Sequence, residues 1–180
     1  AEYLPLKEGN RWTYRMSNGM EMTMRVAGFA DVGGVRCARV ESTAGPQSSI
    51  EFIALKPDGL KVYKYAAAGQ EIVQDPPALR IKMPFKAGET WTTVSKQGAM
   101  TVTTEFLSVG KESVTVAAGT FEAIRIDATM TSSAGGQMQA SNWFADGIGL
   151  VRQTMTAMMQ ELTAELTETV TSDAASTSCT

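Results

Sequence analysis

The chain has eleven methionines and no histidine. Four of the methionines fall in "MSNGMEMTM" (16–24). Thioethers are soft ligands that select Cu(I), so a Met-rich run raises copper carriage as a first chemistry. No His or Cys lies nearby to complete such a site. Met20, Met22 and Met24 instead alternate with Glu21 and Thr23 and share a strand face with Val26. That pattern reads as a pliable apolar lining. With no histidine, the usual zinc ligand and general base are missing, and Ser-His-Asp and Cys-His arrangements cannot be built.

The carboxylates nominate no pair. Asp58 and Asp146 sit beside turn glycines and read as turn formers. Glu161, Glu165 and Glu168 read as a solvated face. Glu105 and Asp127 sit in mid-strand patterns, with either face open to them. Gly135-Gly136 and Gly147-x-Gly149 lack the lysine and the following helix of a phosphate loop, and Asp-x-Asp-x-Asp calcium loops are missing. Cys37 and Cys179 match no metal spacing; in an exported chain they allow one disulfide, within or between chains, and otherwise read as free thiols. No catalytic residue, metal or cofactor is expected, and the chain reads as a non-enzyme.

The net charge is −3 and no basic block exists, so nucleic-acid binding lacks its electrostatic footprint. No apolar run is long enough for a transmembrane helix. The start, Ala-Glu-Tyr, reads as a mature N-terminus after signal-peptide removal or as a trimmed chain.

Positioning these residues falls to strands. "GMEMTMRVAGF" (19–29), "GGVRCARVES" (33–42), "SIEFIAL" (49–55) and "LKVYKYA" (60–66) carry period-two patterns bounded by turn residues. "AAAGQEIVQDPPALR" (66–80) is irregular, and Asp75-Pro76-Pro77 argues against a central strand. Residues 67–81 therefore read as a Pro-rich connector between a first β half (1–66) and a second (82–159). The second half repeats the pattern of short strands, with turns expected at Gly98, Gly110-Lys111, Ala134–Gly136 and Asp146-Gly147. "QELTAELTETVTS" (160–172) suits either a helix stripe or a strand, and its Thr and Val content favours the strand. Residues 160–180 are thus a C-terminal strand and polar tail. The expected fold is all-β: an antiparallel, strongly curved sheet or half-barrel of two similar meander halves around one core.

A repeat supports the two halves. "PLKEGNRWT" (5–13) and "PFKAGETWT" (84–92) share Pro-x-Lys-x-Gly-x-x-Trp-Thr. "GVRCARV" (34–40) aligns with "GTFEAIRI" (119–126), and "FIALKPDGLKVYK" (52–64) with "NWFADGIGLVRQ" (142–153). Three matches in one order point to an internal duplication. In this reading Pro5 and Pro84 start strands, Gly9 and Gly88 make tight turns, and Trp12, Trp91 and Trp143 plug the core.

"YLPLKEGNRWTYR", "VTVAAGTFEAIRI" (114–126) and "NWFADGIGLVR" (142–152) resemble the uncharacterised exported β-proteins of bacterial envelopes grouped as domains of unknown function. The resemblance covers most of residues 3–153 and departs at Ala117, where those proteins usually carry proline. It implies an exported, curved antiparallel sheet similar to the lipoprotein-carrier half-barrels, with no catalytic residue to transfer. The expected function is an extracytoplasmic structural or interaction module whose partners are other protein chains or itself, assembling through strand edges or termini into a filament in its strongest form. The alternative is a carrier or sensor of a lipid-like ligand lined by Met20, Met22, Met24, Val26 and Phe52.

Overall fold

The computed structural model describes residues 1–171. Cys179, and with it the expected disulfide, lies outside the described residues, as does the tail from 172. The strands are β1 (Arg11–Met16), β2 (Glu21–Val32), β3 (Val35–Ala44), β4 (Gln47–Lys56), β5 (Gly59–Ala67), β6 (Gln70–Lys82), β7 (Thr90–Gln97), β8 (Met100–Val116), β9 (Gly119–Ser132), β10 (Gln137–Ala145), β11 (Gly149–Ala157) and β12 (Gln160–Val170). They form one antiparallel sheet in the order β6-β5-β4-β3-β2-β1-β12-β11-β10-β9-β8-β7. Two six-strand meanders are therefore joined where β1 pairs with β12, from Arg11 opposite Val170 to Met16 opposite Ala164.

The sheet curls into a nearly closed barrel. Its two edges, β6 and β7, come together without a ladder. The Trp91 indole donates across this seam to the Leu79 carbonyl at 2.8 Å, and Lys82 lies 3.8 Å from Glu89. Trp12, Tyr14, Val26, Ile53, Ile124, Ile126 and Leu166 build the core. A smaller cluster of Cys37, Phe52 and Ala54 forms apart from it.

Two local expectations change. Residues 67–81 fall mostly in β6, a 13-residue strand. Pro76 and Pro77 are tolerated there because β6 is an edge, and they fall where the register breaks between Val73 opposite Lys64 and Ala78 opposite Val62. Gly110 is not a turn. It is the bulge point inside the 17-residue β8, where the register skips between Ser108 and Gly110. The segment from 160 is a strand, as its Thr and Val content favours.

The repeated Pro-x-Lys-x-Gly-x-x-Trp segments fold alike. The Gly9 N–H donates to Val26, whose own N–H donates to Asn10; the Gly88 N–H donates to Ser108, whose N–H donates to Glu89. Both glycines turn at positive φ, +92° and +87°, which a Cβ would resist. Deeper in each meander the bulge glycines, Gly28 and Gly110, sit opposite Arg39 and Arg125. Each arginine then neighbours an aromatic residue, and that in turn a cation just past a bulge. The rows are Arg39–Phe52–Lys64 and Arg125–Trp143–Arg152.

Candidate functional site

An open trough of about 580 Å³ lies over β7, β8, β9 and β10. Strand register decides its lining. Trp91, Phe106, Ala128 and Ala140 form one cross-strand row. Trp91 and Phe106 stack with ring centres 5.2 Å apart and pack against the core. Residues on either side of that row take the opposite face, because strand side chains alternate. One flanking row is Thr90, Leu107, Asp127 and Ser141; the other is Thr92, Glu105, Thr129 and Gln139. Both line the trough together with Arg125.

Glu105 and Asp127, which sequence could not orient, thus share one concave surface. Their states differ. Asp127 accepts from Arg125 Nε at 2.9 Å, from Arg125 Nη2 at 3.2 Å and from Ser141 Oγ at 2.7 Å. Those hydrogen bonds, with the charges of Asp127 and Glu112, push the Arg125 pKa up against the opposing effect of burial. Asp127 is therefore occupied and poorly placed to serve as a base. Glu105, Gln139, Thr90, Thr92 and Thr129 show no side-chain hydrogen bond among the described residues, so their polar groups remain open to an incoming molecule.

Beside these groups, on the same face of the sheet, lies a rigid support. Trp143 donates to Glu112 Oε2 at 2.7 Å, while the Arg125 and Arg152 guanidinium carbons lie 5.2 and 5.7 Å from the Trp143 ring centre. Arg152 also pairs with Glu165 at 2.9 Å and donates to the Thr115 carbonyl. A ring between two cations, each neutralised by a carboxylate, holds β9, β10 and β11 in fixed register. The matching row on the other meander has Lys64 over Phe52 at 5.2 Å, with Lys64 paired to Glu71 at 2.9 Å.

The remaining expected positions scatter. Trp12 is fully buried, and its indole donates to the Ile148 carbonyl at 2.7 Å. Tyr14, which stands within "YLPLKEGNRWTYR" but has no role assigned by sequence alone, is fully buried beside it and donates to Leu150 at 2.7 Å. Burial pushes the Tyr14 phenol far above its ordinary range. Pro5 accepts from the Asn10 side chain at 2.8 Å. Pro84 stands between the meanders, just before the Gly88 turn. Burial raises the Cys37 thiol pKa; Lys56 lowers it and Asp31 raises it. Met24 and Val26 are core residues and Met22 packs against them, but Met20 lies before β2 and is 38% exposed, and Phe52 belongs to the second cluster. The five are divided between the two clusters and the exposed β1–β2 turn.

No curated protein matches the chain in sequence. Among solved structures, a candidate lipoprotein of Parabacteroides distasonis ATCC 8503 is 14% identical, with a TM-score of 0.50, over 93% of this chain and 98% of that one. A candidate exported protein of Bacteroides fragilis NCTC 9343, described as having a YmcC-like fold, is also 14% identical, with a TM-score of 0.52, over the same shares. These likenesses show a shared fold. Residues 83–174, just over half of the chain, match the DUF3108-like family. That match runs past the limit near residue 153 drawn from sequence resemblance and spans β7 to β12, the meander that carries the trough. The chain belongs to the DUF3108-like family.

Proposed function

We propose that the chain is a non-enzymatic interaction module of the bacterial cell envelope, and that it binds an extended segment of a protein chain along β7 and into the trough. The observation that carries this reading is the position of β7. It is an edge strand with no ladder partner on its outer side, joined to β6 through the Trp91–Leu79 hydrogen bond near its start, and its residues Thr90, Trp91 and Thr92 form one wall of the trough. An unpaired edge is a template for strand addition, with alternate side chains of the guest read by the adjoining surface. The other edge is less suited, because Pro76 and Pro77 remove two backbone donors from β6.

The open Thr, Gln and Glu groups suit a polar guest. Asp127 is already committed, which argues for recognition over acid–base chemistry. An envelope location is supported by the resemblance to exported β-proteins and by the exported and lipoprotein character ascribed to the fold neighbours. When the guest is a second copy, the same edge would build an assembly, and repetition would give a filament. The matching turns, bulges and cation–aromatic rows of the two meanders support origin by internal duplication. A lipid-carrier role has weaker support: the cavity bordered by core residues Leu4, Leu60 and Ile81 measures about 10 Å³, room for one water.

The test is site-specific photo-crosslinking in the envelope from Thr92, with Thr43 on β3 as control. A discrete protein adduct from Thr92 alone supports the reading, and native mass spectrometry tells a self-adduct from a foreign one. Equal or no crosslinking from the two positions would sink it.

A further inference from the structure

Two methionines close the hairpin between β11 and β12. Met158 and Met159 are 94% and 101% exposed. Their backbone is left-handed, with φ of +50° and +64°. Residues that carry a Cβ resist that conformation, and a two-residue turn of this hand is ordinarily made by Asn-Gly. Packing gives the strained pair nothing in return, since neither side chain is buried. A local rule broken without a structural gain is the usual sign of a functional position.

The surroundings narrow the property in use. On one side stands the β1–β2 turn with Ser17, Asn18 and Gly19, and on the other the β9–β10 turn with Ala134, Gly135 and Gly136. Such small and polar neighbours leave two isolated apolar tips, too little surface for a stable docking face. What sets methionine apart from other apolar residues is its thioether, which is open to oxidants where it is open to solvent. The other nine methionines are better shielded. Met24 is a core residue, and Met16, Met22 and Met83 pack against the core. Met20, the next most exposed at 38%, lays its methyl beside Gly45.

We propose that Met158–Met159 is an oxidative modification site that spares the rest of the chain. It takes oxygen from hydroperoxides, hydrogen peroxide included, before any other thioether does. The sulfur lone pair attacks the terminal peroxide oxygen, and the S–O bond forms as the O–O bond breaks. The proton on that oxygen passes to the departing one, which leaves as water or an alcohol. Sulfur is oxidised by two electrons to the sulfoxide, and the peroxide is reduced by two. At this turn the polar sulfoxide stays in water, whereas at Met24 it would be forced into the core. The turn lies outside the trough, so the site stands or falls separately from peptide binding.

The test treats the full chain with tert-butyl hydroperoxide in a dose series and maps sulfoxides by peptide mass spectrometry. Met158 and Met159 should each gain one oxygen before Met20 or any other methionine, with the urea midpoint unchanged. A second protein carrying Met158→Leu and Met159→Leu keeps the apolar volume and loses both sulfurs. At two equivalents of peroxide per chain, it should carry several-fold more sulfoxide at the remaining methionines than the parent does. The proposal is overturned if Met20 or a core methionine oxidises as early, if oxidation of the turn lowers the urea midpoint, or if both proteins accumulate equal sulfoxide at the remaining methionines.

Discussion

Replacing Tyr14 by phenylalanine should alter how stability falls at alkaline pH, beyond its effect at neutrality. The Tyr14 side chain is fully buried and its hydroxyl donates to the Leu150 carbonyl at 2.7 Å. Burial raises its pKa in the folded state far above the ordinary tyrosine value. The folded protein therefore keeps the phenol proton at about pH 11, whereas the unfolded chain, titrating near 10, loses it. Above about pH 10 the unfolded state binds fewer protons than the folded one, so stability falls as pH rises. At about pH 11 the unfolded state gains RT ln(1 + 10), about 1.4 kcal/mol, from this group alone. At about pH 7.5 that contribution vanishes, and Tyr14→Phe costs only the lost hydrogen bond, about 1 kcal/mol. Urea unfolding of both proteins at these two pH values, followed by tryptophan fluorescence, separates the two effects. The other three tyrosines are common to both proteins and cancel. The parent should lose about 1.4 kcal/mol more than the variant between the two pH values. Equal losses would refute the assignment of a buried, proton-retaining phenol.

Ser108 stands where Val26 stands in the other meander, and its hydroxyl is buried with no partner among the described residues. Ser108→Val should therefore raise stability by about 1 kcal/mol, read as a higher urea midpoint; a lower midpoint would mean that the hydroxyl is satisfied. Met158 and Met159 occupy the β11–β12 turn at φ +50° and +64°, almost wholly exposed. An Asn-Gly pair suits such a turn, so Met158→Asn combined with Met159→Gly is expected to raise the melting temperature through a gain of about 1–2 kcal/mol. Gly149 has φ +116°, and a Cβ there would lie 2.8 Å from the Trp12 indole nitrogen. Gly149→Ala should destabilise by about 2 kcal/mol or more and weaken protection of the Trp12 indole N–H in hydrogen exchange; an unchanged midpoint would show that the turn yields.

Much of the fold was legible because strand signals are local. Met22, Met24 and Val26 alternate with Thr23 and Arg25, and the structure places them in or against the core. The Pro-x-Lys-x-Gly-x-x-Trp segments marked two equivalent corners, which share their hydrogen bonding. Local signals failed where tertiary position decides. Pro76 and Pro77 argue against a strand only if its neighbours on both sides need backbone donors, and β6 has a neighbour on one side. Gly110 looks like a turn from its own segment; opposite Arg125 it is a bulge within one long strand.

The candidate sites were less legible for a related reason. Glu105 and Asp127 stand out as mid-strand carboxylates, but their shared trough depends on β8 and β9 pairing in one register. Residue type and near-neighbour spacing were enough for the strand identity of most segments, the paired corners and the exclusion of histidine chemistry. The folded arrangement alone decided which strands become the edges of the sheet and which polar groups line the trough. Those outcomes depend on register and curl, set by the packing of Trp12, Tyr14 and Leu166 across the seam where the two meanders join.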